Sequence, residues 1–365
     1  MKYSTKPKAK TGSSMLLLAA VLFFTACNSG TSSSENNNAS KDDDKKEVKK
    51  TTQQEKADSA LFTIAGIRNA KDGKSTEVFF YESERVFTFS KEEKDFALSS
   101  AMLQDAFKAN RPVKVAFNLK NATVMAAIKP SVRDMEVFSL VRKNILKGEA
   151  SRVIDISKID TATFNQINLL QWPVFRLCRA AVPDYATAKK IFDTCAAQSC
   201  NLGVPTSYTP CIPFQYVIDG CYARAHKMRY IIENKFRYCS QKVFSYGYVD
   251  NDKLAVQANK WGGCCVEWWY HVAPIINVKI NIRGNSFTMA YVIDPGMFTA
   301  PVLLSTWLAA QENKTCNANA HVSMYSIQPS SAYTPSYPPG SYATDPNYTA
   351  TNNTLISYAN GVTCH

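Results

Sequence analysis

Apolar residues are spread along this chain in sharply different ways. Residues 15–24 form an unbroken apolar run, too short to span a bilayer. Residues 28–58 are Ser, Asn, Lys, Asp and Glu with almost no large apolar side chain, the pattern of a disordered, solvated tether. From residue 60 onward apolar and polar positions interleave at the periods of strands and helices. Strands are predicted at 61–67, 77–81 and 113–119, and helices at 94–109 and 137–146; Asn110-Arg111-Pro112 stops the first helix. These elements make a small α+β domain. Past the interruptions Trp172-Pro173 and Val182-Pro183 the pattern predicts helices at 185–195 and from Cys221 to about 234. Strands at 268–280 and 287–293 follow, joined by the turn Arg283-Gly284-Asn285-Ser286. Residues 328–353, rich in Tyr, Pro, Ser, Thr and Asn, read as a long irregular surface segment. No internal repeat is visible.

Charge and cysteine usage add a second division. The net charge of the 365 residues is +12, yet from Arg179 onward 14 Lys+Arg face 10 Asp+Glu, a net of +4. That is too mild, and too free of basic patches with interleaved aromatics, for a nucleic-acid partner. Ten of the eleven cysteines lie at or after Cys178; the other is Cys27. Lys2, Lys6, Lys8 and Lys10 precede the apolar run as the basic region of an export signal. Phe24-Thr25-Ala26-Cys27 resembles a bacterial lipobox, with Phe24 in place of the usual Leu and Cys27 as the lipidated residue. The expectation is a protein exported from a bacterium, as a surface lipoprotein or secreted, attached to a membrane only through lipid on Cys27. Disulfides are then allowed. The expected organisation is a signal at 1–27, a linker at 28–58, a propeptide domain at 59–178 and a mature domain at 179–365. Arg176 and Arg179 are the basic sites offered to an activating protease.

The chemistry concentrates around Cys221. It follows Gly220 at a predicted helix start, and Cys221, Ala225, Met228 and Ile232 form one stripe at helical period. A helix N-terminus stabilises a thiolate through its free N–H groups and dipole. A thiolate nucleophile needs a histidine partner, and only His226, His271, His321 and His365 exist. His226 lies five residues on, about 140° round a helix, and points away. His321 belongs to a polar loop and His365 is the last residue. His271 sits in Trp268-Trp269-Tyr270-His271, an aromatic strand that excludes water. The hairpin beyond it returns to Asp294 within a few residues of register, on the same face. A carboxylate there would fix the imidazole tautomer. Helix start, strand and neighbouring strand is the layout of papain-like and transglutaminase-like cysteine enzymes.

At this point the chain resembles the bacterial protein-glutaminases, which are secreted protein-glutamine deamidases. The resemblance rests on Cys211-Ile212-Pro213-Phe214-Gln215-Tyr216 and on Asp219-Gly220-Cys221-Tyr222-Ala223-Arg224-Ala225-His226-Lys227-Met228-Arg229. It continues through Cys264-Cys265, Trp268, Tyr270-His271-Val272-Ala273 and Ile293-Asp294-Pro295, with Val182-Pro183-Asp184 near the start of the mature part. It implies an α+β fold: a helix carrying the cysteine packed on an antiparallel sheet, preceded by a small α+β propeptide domain. It implies that Cys221 attacks the side-chain amide of glutamine in proteins and peptides. His271 would serve as acid and base, Asp294 would orient it, and the Cys221 backbone N–H would stabilise the oxyanion. Trp268, Trp269 and Tyr270 are expected along the substrate cleft. No metal or organic cofactor is implied, and the paired cysteines lack metal-ligand spacing.

The family is made as an inactive pro-form whose propeptide occupies the cleft. The turn after the 113–119 strand, around 120–127, is the expected plug. With Cys221 free and Cys178 on the propeptide side, eight cysteines remain for four bridges, of which the short loop singles out Cys200–Cys211. Two other readings use the same residues. A transglutaminase or cysteine peptidase would differ in acceptor or in the bond cleaved. A non-enzymatic surface lipoprotein would tolerate loss of Cys221.

Overall fold

The computed structural model describes residues 58–118, 121–142, 146–149, 153–154, 178–203, 206–247, 252–282 and 285–364. The signal, Cys27 and the tether up to residue 57 lie outside the described residues, as does Arg176. Among the described residues no helix is long and apolar enough to cross a membrane.

The first part is a six-stranded sheet with one helix against it. Its strands are β1 (Asp58–Phe62), β2 (Ile64–Asn69), β3 (Ser75–Phe80), β4 (Ser83–Ser90), β5 (Val113–Asn118) and β6 (Thr123–Ile128). They are ordered β1-β5-β6-β4-β3-β2. Helix α1 (Phe96–Lys108) covers it with Leu103 and Ala106. A cluster of phenylalanines fills the sandwich: Phe62 and Phe80 stack at 4.4 Å, and Phe87 meets Phe117 edge-on. Sequence reading missed β4, because Ser83-Glu84-Arg85 at its start is a polar run; all three residues are buried against the second part of the molecule. The segment expected as the plug is β6, an interior strand of this sheet. The second helix, α2 (Val132–Arg142), starts earlier than predicted, and β7 (Leu146–Glu149) replaces its expected end.

The second part is built on another six-stranded sheet, ordered β14-β13-β12-β9-β15-β8. Here β8 is Val153–Ile154, β9 Gln241–Tyr246, β12 Tyr270–Ile282, β13 Asn285–Val292, β14 Val302–Leu303 and β15 Met324–Pro329. Helix α3 is Tyr185–Ala196, capped by Asp184, which accepts the Thr187 N–H. Helix α4 (Cys221–Lys235) lies against β12 and is wrapped so completely that residues 221–228 are all buried. That explains its polar members. Arg224 donates to the carbonyls of Tyr216 and Asp219, and Lys227 donates to Thr209. A pair of short strands, β10 (Leu254–Gln257) and β11 (Cys265–Trp268), and helix α5 (Leu304–Ala309) close the far side.

The segment read as irregular surface forms regular elements and is partly buried. It forms the end of β15, then β16 (Ala332–Pro335), β17 (Ser341–Thr344) and α6 (Thr349–Ser357). Its tyrosines are the reason: Tyr333 packs edge-on against both Tyr222 and His226 of α4. Two short strands that follow the first domain pair into the second part. β7 adds to β17, and β8 adds to the edge of β15.

Four disulfides staple the second part: Cys178–Cys239, Cys200–Cys211, Cys264–Cys364 and Cys265–Cys316. The expected Cys200–Cys211 bridge is present. The cysteine count, which left Cys178 out of the bridges, is corrected. Cys178 bonds Cys239, while Arg179 and Val182 pair with Tyr238 and Val278 of the catalytic body. Cys195, counted among the eight, is instead a buried free thiol whose pKa burial pushes up to about 12.

Candidate active site

Cys221 is the first residue of α4. Gly220 ahead of it sits at φ 83°, the left-handed region where glycine carries no penalty. A Cβ there would also meet the Tyr358 ring at 2.9 Å. This turn aims the Cys221 backbone N–H out of the helix end, where it donates to Glu84 Oε2 at 2.8 Å.

His271 is the second residue of β12. Its Nε2 is 2.9 Å from Asp294 Oδ2, and both residues are buried. The hairpin makes this pair: Ile282 pairs with Asn285 and Ile275 with Val292, so the strand delivers Asp294 just past its last rung. His271 Nδ1 is buried and has no hydrogen-bond partner. One ring nitrogen of His271, the Cys221 sulfur and a Glu84 carboxyl oxygen lie within 4.8 Å of one another. As a donor set these three could hold a divalent ion, but Arg224 lies 3.6 Å from the same carboxyl and opposes a second cation.

The aromatic residues divide into two roles. Trp268 stacks on His271 at 4.6 Å with ring planes 10° apart, and Trp307 stacks on it at 5.4 Å. Trp307 Nε1 also donates to Asp294 Oδ2 at 2.9 Å. Burial raises the Asp294 pKa, but the hydrogen bond and charge of His271 and the Trp307 hydrogen bond outweigh it and hold the carboxyl below its ordinary value. Trp268 is therefore a wall behind the imidazole rather than cleft surface. Trp269 faces the blocked cleft, and Tyr270 is fully buried in the core beside Cys221. His226 is structural, as its position on the helix predicts: it bonds Lys242 at 2.7 Å and the Asp345 carbonyl.

Residues 82–84 of the first domain fill the space in front of Cys221. The Tyr222 hydroxyl donates to the Glu82 carbonyl at 2.6 Å, and the Trp269 indole to the Ser83 carbonyl at 3.2 Å. The Trp269 backbone N–H donates to the Glu84 carbonyl at 3.1 Å. The Glu84 N–H donates to Asp219 Oδ1 at 3.2 Å, and the Ser83 hydroxyl to Asp219 Oδ2. The blocking segment is thus the start of β4, and 121–127 does not reach the site. Burial pushes the Glu84 pKa well above the carboxylate range, with Arg224 opposing and Asp219 adding to the rise. Burial and the Glu84 charge likewise push the Cys221 thiol up, against the Arg224 charge. The thiolate expected from the helix terminus is thus disfavoured while the cleft is filled.

Sequence reading did not give roles to Glu84, Asp219, Arg224 or Trp307. Asp219 and Arg224 flank Cys221 in the motif, so only their geometry was hidden. Glu84 and Trp307 carry no local signal at all.

A family model for glutaminase matches residues 188–311. The crystal structure of a pro-protein-glutaminase is similar at 27% identity, over 84% of this chain and 95% of that one, with a TM-score of 0.60. A mutant of pro-protein-glutaminase matches at the same identity and TM-score over 85% of this chain and 95% of that one. The solution structure of protein-glutaminase from Chryseobacterium proteolyticum is 36% identical over 51% of this chain and 92% of that one, with a TM-score of 0.43. No match was found among curated protein sequences. The fold and the filled cleft define a cysteine hydrolase carrying its own propeptide. The chain belongs to the protein-glutaminase family, in its pro-form.

Proposed function

We propose that the chain is an exported protein-glutamine glutaminase, made inactive, in which Cys221, His271 and Asp294 carry the chemistry. The reaction is hydrolysis of glutamine side-chain amides in proteins and peptides to glutamate and ammonia. Asp294 accepts the His271 Nε2–H and so leaves the Nδ1 lone pair free to take the thiol proton. The Cys221 sulfur attacks the amide carbon, and the Cys221 N–H stabilises the oxygen as it gains charge. His271 returns the proton to the departing ammonia. It then activates water against the thioester, which yields the glutamate carboxyl and the free thiol.

The observation that carries this reading is the Glu84 carboxyl. A carboxyl is the shape of a glutamine amide, and here it rests on the Cys221 N–H with the His271–Asp294 pair behind the sulfur. The test is to cut the pro-form between residues 155 and 177 and measure ammonia released from a glutamine-containing protein. Cys221→Ala is the control. Ammonia without chain cleavage or amine incorporation is expected. Amine incorporation would point to a transglutaminase, chain cleavage to a peptidase, and no product to neither.

The same reading places lipid on Cys27 and an activating cut before Cys178. A cut after Cys178 would leave the propeptide bonded to the catalytic body through Cys239. Arg179 is poorly suited to a protease, since its backbone pairs with Arg237 and Cys239 and its guanidinium lies over Tyr238. Arg176 is the better basic site. Cutting there would release an anchored enzyme; active protein still bound to membranes would overturn the release step.

A further inference from the structure

We infer that Lys260 and Trp261 are positioning residues for the reaction: together they clamp the turn that follows Asp294, and so set how well Asp294 meets His271. The inference rests on the deamidase reading above and extends its machinery to residues that act through Asp294.

Asp294 stands where regular structure stops. β13 ends at Val292, and β14 pairs with β13 at Tyr291 and Val292. The Ile293 N–H still reaches the Pro274 carbonyl at 2.9 Å. Beyond it the chain turns on itself, and the Met297 and Phe298 N–H groups donate to the Asp294 carbonyl. Such a turn fixes its own shape but not its place against His271. Packing does not fix that place either. A cavity of about 220 Å³ lies beside the turn, lined by Val217, Ala258, Lys260, Gly296, Met297 and Phe298. A void leaves its lining without partner atoms on one side, so the turn has room to shift unless it is tethered.

The tether comes from the short 3-10 turn Asn259–Trp261. Lys260 Nζ donates to the Pro295 carbonyl at 2.5 Å and to the Phe298 carbonyl at 2.8 Å. Trp261 Nε1 donates to the Gly296 carbonyl at 2.8 Å. Two side chains thus hold the carbonyls of Pro295, Gly296 and Phe298, directly after Asp294. The holder is itself fixed. The Ala258 N–H donates to the Cys264 carbonyl at 2.8 Å, and Cys264 is bonded to Cys364. Lys260 Nζ also lies 5.3 Å from the centre of the Trp261 ring, which keeps the two donors together. Burial lowers the Lys260 pKa and the Asp294 charge opposes that fall, so the ammonium is within electrostatic reach of the carboxylate.

Lys260 is exposed as a residue, and exposed substitutions cost little stability. Its load is functional instead. A misplacement of about 1 Å can cost on the order of 100-fold in rate, and Asp294 reaches His271 through one hydrogen bond of 2.9 Å.

The test uses the full chain carrying Lys260→Met, Trp261→Phe or both, made whole and then cut between residues 155 and 177. Lys260→Arg is the conservative variant, since it keeps a charged donor. Lys314→Met controls for the loss of a lysine clamp as such: Lys314 Nζ holds the Ala320 carbonyl, in a turn that carries no site residue. Ammonia release across pH, melting temperature and the NMR signal of the His271 Nε2–H in the uncut chain are recorded. The double variant is expected to lose about tenfold in kcat with KM unchanged. Its pH profile of kcat/KM and its His271 signal should both move, with melting close to wild type. Lys260→Arg should recover most of the rate, and Lys314→Met should alter none of these readings. A pH profile and a His271 signal that stay put in the double variant overturn the inference, even if kcat falls. An equal fall in Lys314→Met overturns it too. If the cut wild type releases no ammonia, the deamidase reading fails, and the His271 signal of the uncut chain still decides whether the clamp sets the pair.

Discussion

At the residue scale, two carboxyls in one site are driven in opposite directions. Asp294 is stabilised as an anion by His271 and Trp307, whereas Glu84 is pushed toward its neutral form by burial. Removing the Trp307 donor should therefore be felt at His271. Trp307→Phe is expected to cost roughly 1.5–3 kcal/mol of the interaction with a charged acceptor. In the cut enzyme this should appear as a lower kcat and a shifted pH profile with little change in KM. An unchanged profile would remove Trp307 from the arrangement. Asp294→Asn should lower kcat by about 10²–10⁴-fold, since it deprives the imidazole of its orienting anion. The raised Glu84 pKa sets a sign for propeptide retention. The docked carboxyl binds its proton more tightly than a free one, so docking is fully favoured below about pH 4.3 and weakens as pH rises toward the docked value. Asp219, Arg224, Cys221 and His271 are the ionisable groups that face it. After cutting in a Cys221→Ala background, the propeptide should co-elute with the catalytic body near about pH 5 more than near pH 8. Equal retention at both would show that Glu84 does not titrate on release.

At the element scale, the turn into α4 and the first disulfide carry the local risks. Gly220→Ala forces a positive φ on a side chain that also meets the Tyr358 ring. A cost of about 1–3 kcal/mol is expected in denaturant unfolding, together with lost activity, because the Cys221 N–H moves. Breaking Cys178–Cys239 with paired serines should cost about 2–4 kcal/mol. Local pattern reached the elements that obey their own periodicity: α1, α3, α4 and the β12–β13 hairpin. It failed where tertiary contacts decide. β4 begins with three polar residues that are buried only because another domain supplies partners. β16, β17 and α6 look like a polar tail until their tyrosines are set against α4. Of the proposed site, Cys221, His271 and Asp294 were legible because histidine is scarce and a hairpin joins two of them. Glu84 was not, since its role exists only across a distance of 137 residues in sequence.

At the scale of the whole molecule, the propeptide is held by more than the Glu84 contact. Phe79 stacks on Tyr337 at 4.4 Å and meets Trp269 edge-on. Gly66 lies so close to the Tyr337 ring that a Cβ would fall 2.0 Å from it. Lys253 of the catalytic body reaches Glu77 of β3 at 3.4 Å. A single cut therefore opens the chain without at once emptying the cleft, and a lag between cleavage and full activity is expected. Gly66→Leu should shorten that lag by prising the two parts at Tyr337; an unchanged lag would mean this contact does not limit release. The strands β7 and β8 bear on what happens next. Both precede any cut between residues 155 and 177, yet both complete sheets of the catalytic body. If such a cut lets them leave with the propeptide, β15 and β17 would lose hydrogen-bonding neighbours and become open edges. The cut protein would then present more unpaired strand edge than the uncut chain, and a concentration-dependent rise in light scattering after cutting, absent before it, is the expected outcome.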